Sequence, residues 1–328
     1  MLKLNVRNSL LPLLLSLVLA GCGRNGGPAG SITSPGGTSG GAQQDQAAIA
    51  AAMSAEPDLV EDGLAEDPAQ MSLDAAGSTT AAIRPVTFWR RIQHVDRDFE
   101  FAFADTDSTG QPTTAFVTVR KRLLGTFNIL AGTPLEPGAE PSPTDTLRTV
   151  RKPLEDHWVR HLLFKRVVRP ADAPPPPGDG STDDGRPRWR IAATSGVQVT
   201  SKDATTDIVS LRIESGALDT TVTDPLALFR LRRVLRFESG AGVQVTVTTT
   251  RNDDVVLLYL RDHRFRFTNN GDATYTATFR AGWWTGVRHF AVNALSHGTL
   301  FDDEAPYDSQ AWILPYVVAP TELAQYLP

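Results

Sequence analysis

The side chains able to do chemistry are few and scattered. Cys22 is the sole thiol in 328 residues, so no disulfide can form within the chain, and thiolate zinc sites and iron–sulfur clusters are excluded with it. Oxygen donors gather in Asn252-Asp253-Asp254 with Asp272, and in Asp302-Asp303-Glu304 with Asp308. Calcium takes six to eight oxygens, several from carboxylates, so Asp253, Asp254, Asp302, Asp303 and Glu304 are candidate calcium ligands where their loops meet. The same residue types also serve simply as turn caps. Trp283-Trp284, between Gly282 and Gly286, suits stacking on a sugar ring or contact with a protein. Neighbours on a strand point to opposite faces, so one ring is expected inside and the other open. His94, Asp96, Asp98, His157 and His161 are the titratable candidates for proton transfer. Asp98 and Glu100, however, alternate with Phe99, Phe101 and Phe103, which places these acids on the solvent side.

Known catalytic spacings add little. The chain has no His-Glu-x-x-His and no Walker loop. Gly37-Thr38-Ser39-Gly40-Gly41 matches a nucleophile elbow by letter, and Gly21, Gly23 and Gly26 match a dinucleotide loop, but neither has the strand before it and helix after it that the chemistry needs. Asp179 to Gly185 has the lettering of a calcium loop without its turning glycine or terminal glutamate, and reads as a hairpin tip. No catalytic residue is assigned, and a binding or structural role is favoured over catalysis.

The amino terminus is more specific. Lys3 and Arg7 precede an apolar run from Ser9 to Leu19, then the small residues Ala20 and Gly21, which is the layout of a secretory leader. The run falls short of the roughly 20 apolar residues a spanning helix needs. Leu19-Ala20-Gly21-Cys22 resembles the lipobox of bacterial lipoproteins. The resemblance implies cleavage after residue 21, a diacylglycerol on the Cys22 thiol, acylation of the new amino terminus and residence on a membrane of the cell envelope. Gly23 in place of aspartate implies the outer membrane where the organism has one. Two or three acyl chains make a stable anchor, at about 0.8 kcal/mol per buried methylene.

With the leader goes the charge of Lys3 and Arg7, leaving 30 basic against 37 acidic residues and a formal charge of −7 in place of −5. Mild acidity argues against a nucleic-acid partner; the expected partners are the membrane, through the lipid, and a protein or carbohydrate. Residues 45–74 hold Asp45, Glu56, Asp58, Glu61, Asp62, Glu66, Asp67 and Asp74 with no Lys or Arg, and arginines follow. That pattern predicts an acidic helical segment lying against a basic sheet.

The elements that would position these groups divide as follows. Residues 22–45, rich in Gly, Ser and Pro, read as a tether. Helix formers run from Gln46 to about Asp74, interrupted by Pro57 and Pro68. Alternation then predicts long strands around 99–103, 115–125, 157–168 and 188–200, with a turn at Asp105 to Gly110 and loops at Pro134 to Pro143 and Pro174 to Gly185. Short helices followed by four long strands, with Phe88-Trp89-Arg90-Arg91-Ile92, Ala115 to Gly125 and Arg188-Trp189-Arg190-Ile191-Ala192 as the strand motifs, resemble the nuclear-transport-factor-2-like group over residues 46–200. The resemblance implies an α+β cone with helices inside a curved antiparallel sheet and, in the group's enzymes, an acid or histidine in the cone as base. From Ile208 about seven shorter strands with regular turns resemble a bacterial immunoglobulin-like β-sandwich over residues 201–328, carried by the run Gly286 to Tyr316 and lacking the antibody disulfide. The expectation is thus two domains meeting near Thr200-Ser201.

Overall fold

Alternating side chains and specific turn residues build the first half. The computed structural model describes residues 39–66, 71–72, 82–133, 146–167, 188–261 and 263–320; the leader, Cys22, Pro68 and the expected loops at 134–143 and 174–185 lie outside them. Helix α1 (Ser39–Ala55) starts within the segment expected as tether, and α2 (Pro57–Val60) begins on Pro57, whose fixed φ and missing N–H suit a first helical position. β1 (Met71–Ser72) lies on the edge of β2 (Arg84–Thr106), and β2, β3 (Pro112–Gly132), β4 (Arg148–Val167) and β5 (Arg188–Ser201) follow as an antiparallel meander. At the β2–β3 turn Asp105 and Gly110 take φ of 50° and 79°, and Asp107 Oδ1 accepts from the nitrogens of Thr109 and Gln111 at 2.8 and 3.0 Å. Opposite the register shift at Ile92/His94 stands Gly125, where a Cβ would lie 2.0 Å from the Arg91 carbonyl oxygen. The bulge that curls β2 over β3 therefore requires glycine there.

The second half supplies β6 (Ile208–Ser215), β7 (Leu218–Val222), β8 (Phe229–Arg230), a 3₁₀ turn Leu231–Arg233, β9 (Leu235–Glu238), β10 (Gly242–Thr249), β11 (Val255–Tyr259), β12 (Arg264–Arg266), β13 (Thr268–Asn269), β14 (Thr274–Arg280), β15 (Gly286–Leu295), α3 (His297–Phe301) and β16 (Ser309–Ala319). Five of these strands form a separate sheet in the order β13-β14-β10-β6-β7. The others extend the first sheet. β16 pairs with β5 through Ile313↔Val197 to Gln310↔Thr200, and β15, β11 and β12 continue from β16; with β8 on β5 and β9 on β16 the sheet has eleven strands.

Three cores follow from this wiring. The five-stranded sheet covers one face of β11, β15 and β16, burying Val245, Val247, Phe279, Phe290, Trp312 and Tyr316. The other face of the large sheet curls round α1 and α2, with Ile49, Met53, Val117, Trp158, Leu162 and Ile313. Farther along the same concave side, Phe88, Phe127, Leu257, Leu300, Phe301 and Tyr307 form the third cluster. β15 and β16 are buried on both faces, which accounts for their nearly unbroken apolar sequence.

The architecture overturns the expected fold class. The described residues are mostly strand, and their main sheet is a nearly closed antiparallel barrel-like surface, not an α+β cone followed by an immunoglobulin-like sandwich. Most of the strands were anticipated; their partners were not. β5 does not end a sheet at Thr200-Ser201, because its last residues bond to β16 more than a hundred positions later. Of the strands assigned to an independent sandwich, β9, β11, β15 and β16 instead belong to the large sheet while β6, β10 and β14 lie in the sheet that covers it, and the described residues belong to one compact unit.

Candidate functional site

One face of β4 carries the chemistry. Val150, Lys152, Leu154, Asp156, Trp158, Arg160, Leu162 and Phe164 alternate inward and all are buried. Every second residue of a strand shares a face, so one cation, one acid, one indole and one guanidinium line a single row inside the sheet.

Arg160, with no exposed surface, forms the first centre. Its Nη1 donates to the carbonyls of Leu59 and Val60 at 3.0 and 2.6 Å, satisfying the end of α2. Its Nε and Nη2 find no hydrogen-bond partner among the described residues. Asp62 faces it: Oδ2 accepts from Trp158 Nε1 at 3.0 Å, and Oδ1 from the nitrogens of Leu64 and Ala65 at 2.9 and 3.0 Å. Burial works to raise the Asp62 pKa, but the Arg160 charge and these backbone bonds outweigh it and hold the carboxyl below its ordinary range. His289 on β15 completes the group. Burial, then the positive Arg160, push its pKa down to about 4 against the pull of Asp62, so the imidazole is neutral at pH 7. The His289 Nε2 is buried without a hydrogen-bond partner among the described residues. Asp62 and His289 border a groove of about 400 Å³ that also takes in Asp58, Glu61, Arg261 and Arg288, with Arg160 buried behind them.

A second centre sits deeper. Arg90 Nη2 donates to Asp156 Oδ2 at 2.7 Å, and the Tyr307 hydroxyl donates to the same oxygen at 3.3 Å. Burial raises the Asp156 pKa, with Arg90 opposing it, and burial also raises that of Tyr307, which keeps its proton. Arg90, Tyr259 and Asn293 border an adjacent cavity of about 20 Å³, space for one water. Lys152 ends the row. Its Nζ donates to the carbonyls of Gly298 and Asp302 at 2.9 and 2.6 Å, closing α3, and burial pushes its pKa down to about 8 although Asp302 and Asp303 act to raise it.

The acidic amino-terminal segment meets basic and indole partners as its charge pattern suggested. Asp45 accepts from Trp189 Nε1 at 3.0 Å and lies 3.4 Å from Arg166. Lys121, almost fully buried, reaches Glu61 at 2.7 Å and Glu66 at 2.8 Å, while Arg97 holds the other oxygen of Glu61 at 2.7 Å. Lys121 also lies over the Trp158 ring, 4.8 Å from its centre.

Residues singled out from the sequence fall elsewhere. His94 pairs with Asp96 at 2.7 Å on the exposed side of β2. Asp98 is also exposed. His157 is exposed beside Glu155, and His161 contacts the Leu226 carbonyl and the Phe116 ring. Asp254 is buried; its Oδ1 accepts from the Thr206 hydroxyl at 3.3 Å, and burial, partly countered by Thr249 and Thr206, lifts its pKa to about 6. Asp253 borders a shallow cleft with Asn252 and Asp272. Asp302 turns its own loop by accepting from Glu304 and Ala305 nitrogens, Asp303 pairs with Arg148, and Asp308 holds Thr205 and Thr206. Among the described residues no three His, Cys, Asp or Glu side chains gather as a metal site. Trp283 and Trp284 are 75% and 79% exposed. They lie in the loop between β14 and β15, off the strands, so alternation does not bury either.

Arg160, Asp62 and His289 escaped sequence reading. The available signal was the β4 face itself, where Lys152, Asp156 and Arg160 recur at even positions among apolar residues. Searches of protein-family models, of curated proteins and of solved structures found no match to the chain.

Proposed function

We propose that the chain is a lipid-anchored protein of a bacterial envelope whose folded body binds a partner or serves as a structural part, without turning over a small substrate. The observation that carries the second half of this reading is how the inward charges of β4 are used. Arg160 closes α2, Lys152 closes α3, Asp156 engages Arg90 and Tyr307, and Trp158 holds Asp62. Groups of the kind that catalyse elsewhere are here occupied in fastening α2, α3 and the neighbouring strands to the sheet. The Leu19-Ala20-Gly21-Cys22 motif supports the lipid anchor.

Metabolic labelling with a fatty-acid analogue tests the anchor. The wild-type protein is expected to take up label and sediment with membranes, and Cys22→Ser to do neither; an unlabelled wild type overturns the proposal. The non-catalytic half fails if the purified protein consumes a small substrate and His289→Gln abolishes that turnover while leaving the melting temperature unchanged.

A further inference from the structure

Several separate features converge on one end of the sheet. Trp283 and Trp284 are far more exposed than any other large apolar residue described, and the next, Val209, is 48% exposed. Their loop is held firmly. Ser239 Oγ donates to the Trp283 carbonyl at 2.9 Å, Gly240 N donates to the Gly282 carbonyl at 3.4 Å, and the Trp283 ring lies so close to Gly240 that a Cβ there would meet it at 2.7 Å. Two indoles are thus presented to solvent from a braced turn, where an isolated soluble domain gains nothing from them.

Beside that turn runs a basic strip. Arg230, Arg232, Arg233 and Arg236 are all exposed, and none has a carboxylate within ion-pair distance among the described residues. Register places the near end of the strip next to the tryptophans: β9, which contains Arg236, runs alongside the last residues of β16, whose Val318 pairs with Gly286 just after Trp284, while Arg232 and Arg233 lie in the turn leading into β9 and Arg230 pairs with Ala193 of β5. The chain also enters the fold from this end. Asp45 in α1 is fixed to Trp189 and Arg166, at the β5 start and the β4 finish, which is the end of the sheet that holds the last residues of β16. Sixteen residues, 23–38, separate Cys22 from Ser39, and even fully extended they reach at most about 60 Å.

We propose that this end of the molecule docks on an anionic lipid bilayer, with Trp283 and Trp284 entering the headgroup layer and Arg230, Arg232, Arg233 and Arg236 facing lipid phosphates. Indoles favour that layer because one end of the ring is apolar and the N–H finds polar partners. Arginines add attraction to anionic headgroups, each worth about fivefold in binding, which salt weakens. The inference rests on the lipid-anchored reading for its biological setting, in which the acyl chains hold the folded body within reach of the bilayer and the patch decides which end faces it.

The test uses the whole mature chain carrying Cys22→Ser, made without its leader, so that no lipid contributes. Its sedimentation and tryptophan emission are measured with vesicles of phosphatidylglycerol and phosphatidylethanolamine, and with vesicles of phosphatidylcholine alone. The anionic vesicles are expected to bind it and shift the emission to the blue, with weaker binding to phosphatidylcholine. Trp284→Ala, and Trp283→Ala with Trp284→Ala, should each lower binding, the pair by about tenfold or more. Arg232→Glu with Arg233→Glu should lower it by more than the roughly 25-fold expected from losing two such contacts, with a shallower salt dependence. No binding by the parent chain, or equal binding by tryptophan variants whose melting temperature is unchanged, overturns the docking surface. Fatty-acid labelling reads the anchor separately, so a labelled protein whose unlipidated form ignores vesicles refutes the docking alone, and an unlabelled one that binds them refutes the anchor alone.

Discussion

The two faces of β15 and β16 are packed by different means. Toward the five-stranded sheet they present hydrocarbon and aromatic rings: Phe290, Tyr316, Phe279 and Phe237 pack with centroids 5.1 to 6.3 Å apart. Toward the concavity, the same strands share space with Arg160, Lys121, Asp156 and Lys152, each buried and each tied to a particular partner. The apolar face gains from area and asks only for volume and shape. The charged face gains little net energy from its pairs, because desolvation offsets attraction, but it penalises any arrangement that leaves a charge alone. One side glues; the other selects a position for α1, α2 and α3.

The largest expected effect comes from separating the faces altogether. Residues 202–328 expressed alone keep the apolar interface but lose β5 and open the inner face of β11, β15 and β16, exposing Val255, Leu257, Ala291 and Ile313. We expect no cooperative heat transition by circular dichroism. A sharp transition would show that the apolar interface suffices and that the two faces are independent.

Single substitutions sharpen the contrast. Phe290→Ala should cost about 3–5 kcal/mol through lost transfer energy and a cavity. Arg160→Met should cost about 3 kcal/mol, because Asp62 and the α2 carbonyls lose their counterpart. The two differ in rescue: adding Asp62→Asn to Arg160→Met should recover part of the loss in urea unfolding, whereas no single polar change should rescue Phe290→Ala. Additive losses at Asp62 and Arg160 would mean that the charges are not coupled.

The smallest effect is a pair of opposed pH slopes, each at most about 1.4 kcal/mol per pH unit. His289 is held at about 4, below its ordinary 6.5, so its contribution is full above pH 6.5 and is lost as pH falls toward 4. Asp254, at the rim of the apolar interface, is raised from 3.8 to about 6, so its contribution is full below 3.8 and is lost as pH rises through 6. Between pH 4 and 6 the two oppose each other. Asp254→Asn should make stability climb more steeply with pH in that window and His289→Gln should make it fall, both read from urea midpoints. Identical slopes in the two variants would remove the assigned burial of one group or the other.

Much of the strand content was legible from local pattern. The alternation at Phe99, Phe101 and Phe103 lies in β2, and Val243–Thr249 and Val287–Ala294 fall inside β10 and β15 almost to the residue. What escaped was non-local. Nothing in Val197 or Ile313 announces that they face each other, and a run that is apolar on both faces reads equally as a strand in a separate sandwich. The site escaped for a related reason. Charged residues at alternate positions suggest a wet face, so Lys152, Asp156 and Arg160 look solvated until partners 66 to 151 positions away cover them. His157 and His161, on the opposite side of the same strand, are the residues of β4 whose type alone suggests proton transfer.

The pairing of β5 with β16 also sets a schedule for the newborn chain. The strand that joins the two halves comes more than a hundred residues after β5, so the stretch of the β5 edge from Val197 to Thr200 stays open until residues near 310 have appeared, an exposed template for wrong partners all that while. The first fasteners need not wait. Lys121, Trp158, Arg160 and Trp189 lie on β3, β4 and β5, and all can receive Asp45, Glu61, Asp62 and Glu66 before any later strand exists. Residues 45–201 are thus able to assemble as an early folding unit with one raw edge, on which the rest of the molecule is later hung.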